Sequence, residues 1–273
     1  MKNLSIGMFD SGVGGLTVLK EVKELLPGEN IIYLGDTARV PYGNRSPQTI
    51  IRYALESALF LLTKGIKILV IACNTSSATA LNVLSRKLPI PVIGVIEPGA
   101  RVAAAETRKK KIGVIGTKAT IRSMAYEKSI KAIDPEIDVV SKPCPLFVPI
   151  VEEGLENDEV AHIMAEKYLK DIRDSDIDTL VMGCTHYPVM EDVIKKAVGR
   201  HVKVVNTGKE TAKEVKRCLG DKNILKIRGK GICQYFVTDS PETFSEIGGR
   251  FLKVPITPIK YIKSLDYKDI ILR

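Results

Sequence analysis

The sequence predicts an α/β fold with two similar halves, each built on a parallel-type central sheet flanked by helices. Three observations support this prediction. Short apolar runs rich in β-branched residues recur without polar alternation, as in parallel strands that are covered on both faces. Longer amphipathic runs separate them, and this alternation is typical of parallel sheets with right-handed crossovers. Finally, two stretches of the first half recur in the second half.

The predicted elements alternate along the chain. Strands are expected at residues 4–9, 31–34, 68–72, 92–95, 112–115, 179–182, 202–205 and 235–238. Amphipathic helices are expected at residues 16–26, 46–64, 76–87, 121–132, 158–171, 189–197 and 209–218. The 273 residues are 45% hydrophobic, which is enough for one large domain or two small ones. Since aromatic residues make up 5% and Trp is absent, the core must be aliphatic.

The recurring stretches suggest an internal duplication. Residues 6–11 (IGMFDS) and 112–117 (IGVIGT) each read as a strand followed by a small polar turn. Residues 70–75 and 181–186 each run from a strand into a cysteine, Cys73 or Cys184. Similar strands occur in every α/β protein, but two cysteines in the same local frame favour duplication over coincidence.

A glycine-rich turn follows the first strand. Residues 10–15 read DSGVGG, and glycines before a helix N-terminus let backbone N–H groups approach an anion. The turn is neither a G-x-G-x-x-G loop nor a Walker A loop, because the chain contains no G-K-[ST]. Nucleotide binding is therefore only weakly indicated, and a small carboxylate fits as well. A tight turn capped by Asp10, with no ligand, is the alternative.

The second strand ends in a loop rich in Gly, Pro, Tyr and polar residues. Residues 35–43 read GDTARVPYG and resemble a pocket loop, although an ordinary connection explains them equally well. Ser46 can cap the next helix, with Pro47 at its first position. This segment alone decides no function.

The third strand leads to a cysteine with polar neighbours. Cys73 is followed by NTSS, at the expected start of a helix. Because the positive end of a helix favours a thiolate, we expect a lowered pKa for Cys73. The adjacent hydroxyl and amide groups can bind carboxylate or ammonium groups. A lone cysteine is more often a small core residue, and that is our interpretation of Cys144, Cys218 and Cys233.

A second such cysteine follows the sixth predicted strand. Residues 184–188 read CTHYP, and Pro188 suits the start of a helix. His186 can orient a substrate group or tune the Cys184 thiol, since histidine exchanges protons near neutral pH. A structural histidine is the alternative. His162 and His201 lack such neighbours, and we assign them no role.

The two matched cysteines suggest a reaction. Thiols that face each other across a cleft can flank one carbon, so that a thiolate removes a proton and a thiol returns one to the opposite face, which inverts the stereocentre. Cysteine suits both roles because its surroundings can favour either protonation state near pH 7. Covalent catalysis by one cysteine is the alternative, but it leaves the second cysteine unexplained.

The basic composition raises a competing hypothesis. The formal net charge is +9 and the pI is about 9.2, which suits an anionic partner such as nucleic acid. The sequence shows no RNP-like aromatics and no recognition-helix motif, so we do not expect a nucleic-acid partner. Basic stretches such as residues 108–111 lie away from the cysteine segments and are expected to be solvated faces.

The cysteine pattern indicates a reducing compartment. Five cysteines without a C-x-x-C pair favour free thiols in the cytoplasm. No apolar run approaches the ~18 residues that span a bilayer, and we expect no membrane partner. Cys184 and His186 lie two positions apart without a second ligand pair, so we expect no metal site.

Four segments together resemble the glutamate racemases of the aspartate/glutamate racemase superfamily. They are residues 9–16, 35–43, 72–78 and 183–188, in the order and spacing of that family, and the resemblance runs essentially end to end. It implies two α/β domains related by a pseudo-twofold axis, with the active site in the cleft between them. It also implies cofactor-independent interconversion of L- and D-glutamate, with D-glutamate supplied to peptidoglycan synthesis. Aspartate or another amino acid is the nearest alternative substrate.

The resemblance also implies roles for individual residues. Cys184 is expected to take a proton from L-glutamate and Cys73 from D-glutamate, with Asp10, His186 and Glu152 assisting. The expected substrate contacts are Asp10, Ser11, Tyr42, Gly43, Asn74, Thr75, Thr185 and His186.

The same resemblance predicts the domain organisation. Residues 1–97 and 207–273 are expected to form a discontinuous first domain, and residues 98–206 the second. The oligomeric state differs across such a family, and we expect a homodimer.

Overall fold

Strands and helices alternate through the described chain. The structure, a computed structural model, describes residues 1–263 and 265. Its strands are β1 (Ser5–Asp10), β2 (Ile31–Gly35), β3 (Ile66–Ile71), β4 (Val92–Gly94), β5 (Lys111–Gly116), β6 (Asp138–Pro143), β7 (Thr179–Gly183), β8 (Lys203–Val205), β9 (Cys233–Val237) and β10 (Ile259–Tyr261). Its helices are α1 (Leu16–Leu25), α2 (Pro47–Thr63), α3 (Asn74–Lys87), α4 (Ile96–Glu106), α5 (Lys118–Ser123), α6 (Ala125–Ile133), α7 (Phe147–Glu152), α8 (Glu159–Asp174), α9 (Glu191–Val198), α10 (Thr207–Asp221) and α11 (Pro241–Leu252).

The strands form two parallel sheets with the same core topology. The first sheet has the order β10-β9-β2-β1-β3-β4 and the second has the order β6-β5-β7-β8. The arrangement β2-β1-β3-β4 therefore recurs as β6-β5-β7-β8, with β9 and β10 added beside β2. The predicted two-sheet α/β fold is confirmed, and the repeated order agrees with an internal duplication.

The predicted strands are all present because their apolar runs can be buried on both faces. All residues of β2, β3 and β7 are buried, as are five of the six in β1. Such strands need helices on both sides of the sheet, which the alternating amphipathic runs supply. Burial of these aliphatic side chains is the main favourable contribution to the stability of the fold.

Several elements were absent from the prediction. They are the strands β6 and β10 and the helices α4, α7 and α11. β6 lies at a sheet edge and none of its residues is fully buried, so its sequence lacks an apolar run. Pro98 in α4 and Pro149 in α7 look like helix breakers, but each stands in the first turn, where proline is tolerated.

The single helix predicted at residues 121–132 is wrong. The segment forms two helices, α5 and α6, which meet at Met124 in the left-handed backbone region with φ of 55°. Two predicted helix starts are confirmed. Ser46 Oγ accepts the Thr49 N–H at 3.3 Å at the start of α2, and Pro188 lies in a 3-10 turn that leads directly into α9.

The topology puts the carboxyl ends of both sheets at the candidate site. In each sheet the chain order reverses beside the first strand, between β1 and β3 and between β5 and β7, and such switch points are where α/β sheets bind ligands. The first sheet takes strands from residues 5–94 and 233–261, and the second from residues 111–205. The exact domain boundaries stay a prediction, and the predicted end of the first domain at residues 264 and 266–273 lies outside the described residues.

Candidate active site

A cavity of about 440 Å³ lies where the carboxyl ends of the two sheets meet. Its walls come from the segments that follow β1, β2, β3, β5, β6 and β7. The lining residues are Ser11, Val40, Pro41, Tyr42, Gly43, Asn44, Cys73, Asn74, Thr75, Thr117, Lys118, Pro145, Leu146, Val148, Pro149, Glu152, Cys184, Thr185 and His186. The fold thus brings both cysteines of the repeated pattern to one cavity.

Cys73 stands at the N-terminus of α3, directly after β3. Its side chain is 6% exposed, and its Sγ lies 3.8 Å from Ser11 Oγ. Burial raises the pKa of the Cys73 thiol to about 11, and the charge of Asp10 adds to this effect. Hydrogen bonds from Ser76 and Ser11 only partly oppose the increase. The lowered pKa expected from the helix N-terminus is therefore wrong, and Cys73 is a neutral thiol at pH 7.

Asp10 is buried next to the cavity and is not one of the residues that line it. It is 1% exposed, and its Oδ2 accepts the Gly12 N–H at 2.9 Å. Burial raises the pKa of the Asp10 carboxyl, and Glu152 adds to the increase, whereas His186 and N–H groups of the turn oppose it. Its direct contact with a substrate stays a prediction, while its charge acts on Cys73.

Cys184 begins a chain of three interacting side chains. Its Sγ lies 3.9 Å from His186 Nδ1, and His186 Nε2 donates to Glu152 Oε1 at 2.9 Å. Burial lowers the pKa of His186, but its hydrogen bonds to Cys184 and Glu152 and their negative charges outweigh burial and raise the pKa to about 10. The ring is therefore an imidazolium at pH 7, placed between the Cys184 sulfur and the Glu152 carboxylate.

The two thiols have opposite electrostatic surroundings. The Cys73 thiol faces the field of the buried Asp10 carboxyl, which disfavours a thiolate. The Cys184 sulfur instead has the cationic ring of His186 at hydrogen-bonding distance. One cavity therefore holds two cysteines whose charged neighbours have opposite sign.

The glycine-rich turn packs closely against the second cysteine segment. A Cβ added at Gly14 would lie 2.4 Å from Thr185 Oγ1 and 2.5 Å from His186 Nδ1. Glycine is thus required because two segments approach closely, and not because of a left-handed backbone. The Gly12 N–H, which the sequence offered as a donor to an anion, donates to Asp10 instead.

Tyr42 and Gly43 line the cavity from the loop after β2. The Tyr42 hydroxyl donates to the buried carboxylate of Asp36, which also accepts a hydrogen bond from Thr238 Oγ1 at 3.0 Å. These contacts anchor the loop to the strand ends of the first sheet. A Cβ at Gly43 would lie 3.1 Å from Thr117 Cβ, so this loop also reaches the second half of the chain.

Asn74 and Thr75 connect the two halves through buried polar contacts. Asn74 Oδ1 accepts the Tyr126 hydroxyl at 2.6 Å, while Asn74 Nδ2 is buried with no hydrogen-bond partner in the described structure. Thr75 Oγ1 lies 2.9 Å from Thr117 Oγ1 and 3.2 Å from Thr120 Oγ1. A buried donor without a partner on a cavity wall suits an acceptor from a ligand, such as a carboxylate oxygen.

The sequence interpretation missed part of the cavity wall. Thr117 and Lys118 follow β5, and Leu146 and Pro149 lie in the segment after β6. Thr117 could have been found, because it occupies the position of Ser11 in the repeated pattern. The apolar wall had no signal, since β6 itself was not predicted and its apolar residues resemble core.

The structure does not bring the other three cysteines to the cavity. Cys144, Cys218 and Cys233 do not line the cavity, and all five cysteines are free. Within residues 1–263 and 265, no three His, Cys, Asp or Glu side chains are grouped closely enough to hold a metal ion. In the same residues, every helix is too short or too polar to cross a bilayer.

The chain is similar to known racemases over most of its length. The family model described as Asp/Glu/Hydantoin racemase matches residues 6–215. A glutamate racemase from Geobacter metallireducens is 55% identical over 249 residues, which are 91% of this chain and 92% of that protein.

Solved structures give the same result. The crystal structure of a glutamate racemase from Bacillus anthracis superposes with a TM-score of 0.94 at 42% identity, over 96% of this chain and 98% of that one. The glutamate racemase of Francisella tularensis in complex with D-glutamate gives a TM-score of 0.92 at 38% identity, over 97% of this chain and 99% of that one. The chain therefore belongs to the Asp/Glu/Hydantoin racemase family.

Proposed function

We propose that the protein is a glutamate racemase that interconverts L- and D-glutamate without a cofactor, with Cys73 and Cys184 as its two proton-transfer groups. The observation that supports this most is that both cysteines, at matching positions after β3 and β7, line one cavity. The relatives described above are glutamate racemases, and one of them binds D-glutamate, which supports glutamate as the substrate.

The reaction is two proton transfers at one carbon. In the direction from L-glutamate, Cys184 as thiolate takes the α-proton, and the electron pair of the C–H bond stays on the α-carbon, delocalised into the adjacent carboxylate. The Cys73 thiol then donates its proton to the opposite face, which forms D-glutamate and leaves Cys73 as the thiolate. The reverse direction starts from the Cys73 thiolate.

The buried polar groups help each thiol change its charge. The imidazolium of His186, held by Glu152, stabilises the Cys184 thiolate before the proton is taken. Asp10 keeps Cys73 protonated and ready to donate, because its charge raises the pKa of that thiol. Different neighbours therefore act on Cys73, the acid in this direction, and on Cys184, the base.

We assign substrate binding to the polar groups of the cavity wall. The unpartnered Asn74 amide and the hydroxyls of Ser11, Thr75 and Thr185 can bind the carboxylate and ammonium groups of glutamate, and the loop with Tyr42 and Gly43 closes the wall. We also assign substrate binding to Asp10, which is buried next to the cavity.

Isotope exchange tests the two-base mechanism. L-glutamate is incubated with the protein in deuterated buffer without added cofactor, and both enantiomers are separated and analysed by mass spectrometry. With two different proton-transfer groups, deuterium enters D-glutamate early, while the remaining L-glutamate stays protiated. Equal early labelling of both enantiomers contradicts the proposal, and a parallel assay with aspartate tests the choice of substrate.

Alanine variants test the two thiols separately. Cys73→Ala and Cys184→Ala are each expected to lower the racemisation rate by roughly 100- to 10,000-fold, the usual contribution of a general acid or base. Cys218→Ala is the control, because that half-buried cysteine lies on α10 and does not line the cavity. A wild-type rate for Cys73→Ala would exclude the two-thiol mechanism.

The wider setting follows from the same proposal. We propose that the enzyme acts in the cytoplasm, that its D-glutamate supplies peptidoglycan synthesis, and that it is a homodimer with residues 1–97 and 207–273 forming one domain. Light scattering at micromolar concentration tests the homodimer, and a monomeric mass contradicts it.

A further inference from the structure

A basic and apolar surface lies at the opposite end of the first sheet from the cavity. We call it the amino-end surface and define it by Lys2, Ile227, Arg228, Lys230 and Ile232. These residues precede the amino ends of β1 and β9, whereas the cavity lies at the carboxyl ends of the strands. A partner on this surface therefore leaves the cavity open.

The amino-end surface combines exposed apolar side chains with positive charge. Ile227 is 82% exposed and Ile232 is 66% exposed, and between them stand the exposed Arg228 and Lys230. Residues 222–232 read KNILKIRGKGI, which contains four basic residues and no acidic one. Two large aliphatic side chains in water cost solvation free energy, and this arrangement fits a partner that is both anionic and apolar.

Hydrogen bonds hold this loop rigidly on the turn that precedes β2. The Ile232 N–H and the Lys226 ammonium both donate to Asn30 Oδ1 at 3.2 Å, and the Gly231 N–H donates to the carbonyl of Pro27 at 2.8 Å. The Lys226 N–H donates to Glu29 Oε1 at 2.7 Å. These contacts attach both ends of the loop, at residues 226 and 231–232, to the body of the protein.

A buried lysine brings Lys2 to the same surface. Lys67 Nζ donates to the carbonyl of Lys2 at 2.9 Å and to the carbonyl of Ile224 at 2.8 Å. The acidic residue that contacts the loop, Glu29, is buried and paired with Lys67 at 2.6 Å. Its charge is thus neutralised inside the protein, and the outer face keeps its positive charge.

We propose that the amino-end surface docks on the anionic headgroups of a lipid bilayer. Arg228, Lys230 and Lys2 would contact the phosphates, while Ile227 and Ile232 enter the boundary between headgroups and acyl chains. This goes against the expectation of no membrane partner, which rested on the lack of a spanning segment. Docking at a surface needs no such segment.

Other occupants fit the amino-end surface less well. A nucleic acid offers no apolar phase for the two isoleucines, and residues 222–232 contain no aromatic side chain for base stacking. A second copy of the chain, bound through a twofold axis, would place this basic surface against itself. A bilayer satisfies both the charge and the apolar side chains.

Vesicle sedimentation tests the proposal with the full-length protein. The protein is mixed with vesicles of equal parts phosphatidylglycerol and phosphatidylcholine, and with vesicles of phosphatidylcholine alone. We expect sedimentation with the anionic vesicles only, and its decrease as salt is added.

Paired variants distinguish binding through the amino-end surface from an effect of the net charge of the protein. Arg228→Gln/Lys230→Gln is expected to weaken partitioning about 30-fold, because each basic residue near an anionic membrane contributes roughly a factor of five. Ile227→Ser/Ile232→Ser is expected to weaken it about tenfold. Lys167→Gln/Lys170→Gln, on an exposed part of α8, makes the same change in net charge and should leave partitioning unchanged.

The same variants give the outcomes that overturn the proposal. It is wrong if the wild-type protein stays in solution with the anionic vesicles, or if the α8 control weakens partitioning as much as the Arg228/Lys230 pair. Retention on DNA with no binding to vesicles would also reject it, in favour of a polyanion site. Racemisation in solution should be the same for all variants, because the cavity lies at the other end of the sheet, and this assay confirms that each variant is folded.

Discussion

Single residues give the two cysteines different electrostatic surroundings. Cys73 and Cys184 occupy the same frame of a repeated strand, yet one lies in the field of the buried Asp10 and the other beside a cationic His186. The repeat therefore supplies the same chemical group twice, and the neighbours make the two copies different. His186 stands two residues after Cys184 and is visible in the local sequence, whereas Asp10 is distant from Cys73 in the chain.

Asp10 is expected to control the acidity of Cys73. In Asp10→Asn the pKa of Cys73 should fall below its value of about 11, because a negative charge that disfavours the thiolate is removed. The pH dependence of alkylation by iodoacetamide, followed for the Cys73 peptide by mass spectrometry, measures this pKa, since only the thiolate reacts. The Cys218 peptide serves as the internal control, because that half-buried cysteine does not line the cavity. An unchanged midpoint for Cys73 contradicts the prediction.

Glu152 is expected to make stability depend on pH through His186. The pKa of His186 is about 10 in the folded protein and about 6.5 in the unfolded chain, so protonation stabilises the fold. This contribution is fully present below about pH 6.5 and is lost as the pH rises through 10. In Glu152→Gln the folded pKa is lower, so the variant should be less stable than the wild type at pH 7 and nearly equal to it above pH 10.

Urea unfolding at several pH values measures this difference. The control is Glu153→Gln, because Glu153 is the exposed neighbour of Glu152 and does not contact the ring. A constant difference in the free energy of unfolding between wild type and Glu152→Gln from pH 7 to pH 10 argues against the coupling.

At the scale of elements, the position of a residue within its element and the contacts of that element explain features that a sequence pattern alone predicts wrongly. The turn after β1 looks like an anion cradle, yet its glycine allows the segment after β7 to pack against it. Helices α4 and α7 carry prolines that look like helix breakers but stand in the first turn, where the missing N–H costs no intrahelical hydrogen bond. Strands β6 and β10 form because a neighbouring strand already offers hydrogen bonds at the sheet edge.

Two glycine substitutions should have opposite effects. Gly14→Ala is expected to destabilise the protein by about 1–3 kcal/mol and to lower racemisation, because the new Cβ meets Thr185 and His186. Gly220→Ala should stabilise it by about 0.5–1 kcal/mol, since this position in α10 has open space around it. Urea unfolding and the racemase assay distinguish them, and equal effects contradict the packing argument.

At the scale of the whole molecule, one buried ion pair joins distant parts of the chain. Lys67 and Glu29 pair at 2.6 Å with no exposure of either side chain, and their remaining hydrogen bonds reach Lys2, Ile224 and Lys226. The pair connects β3, the turn before β2, the chain start and the loop before β9. It contributes to the order of the first sheet at the end opposite the cavity.

Removal of one partner of this pair should be costly. Lys67→Met is expected to destabilise the protein by about 3–5 kcal/mol, because it leaves the Glu29 carboxylate buried without a counter-charge. Lys131→Met, which breaks the exposed pair with Glu127 on α6, is the control and should cost about 0.5 kcal/mol or less. Urea unfolding measures both, and similar losses would show that burial does not set the effect.

The amino-acid sequence was enough to predict the two-sheet fold, an internal duplication, and the two cysteines with most of their polar neighbours. The hydrophobic period and the turn residues are local features, and the repeated motif is found by comparing two stretches of the sequence. The tertiary structure alone decided the direction of the Cys73 pKa, the apolar wall with Leu146 and Pro149, and the packing role of Gly14. These depend on burial and on charges from distant segments. A helix N-terminus can be predicted from sequence, but the desolvation that outweighs it arises only when distant segments of the chain bury the thiol.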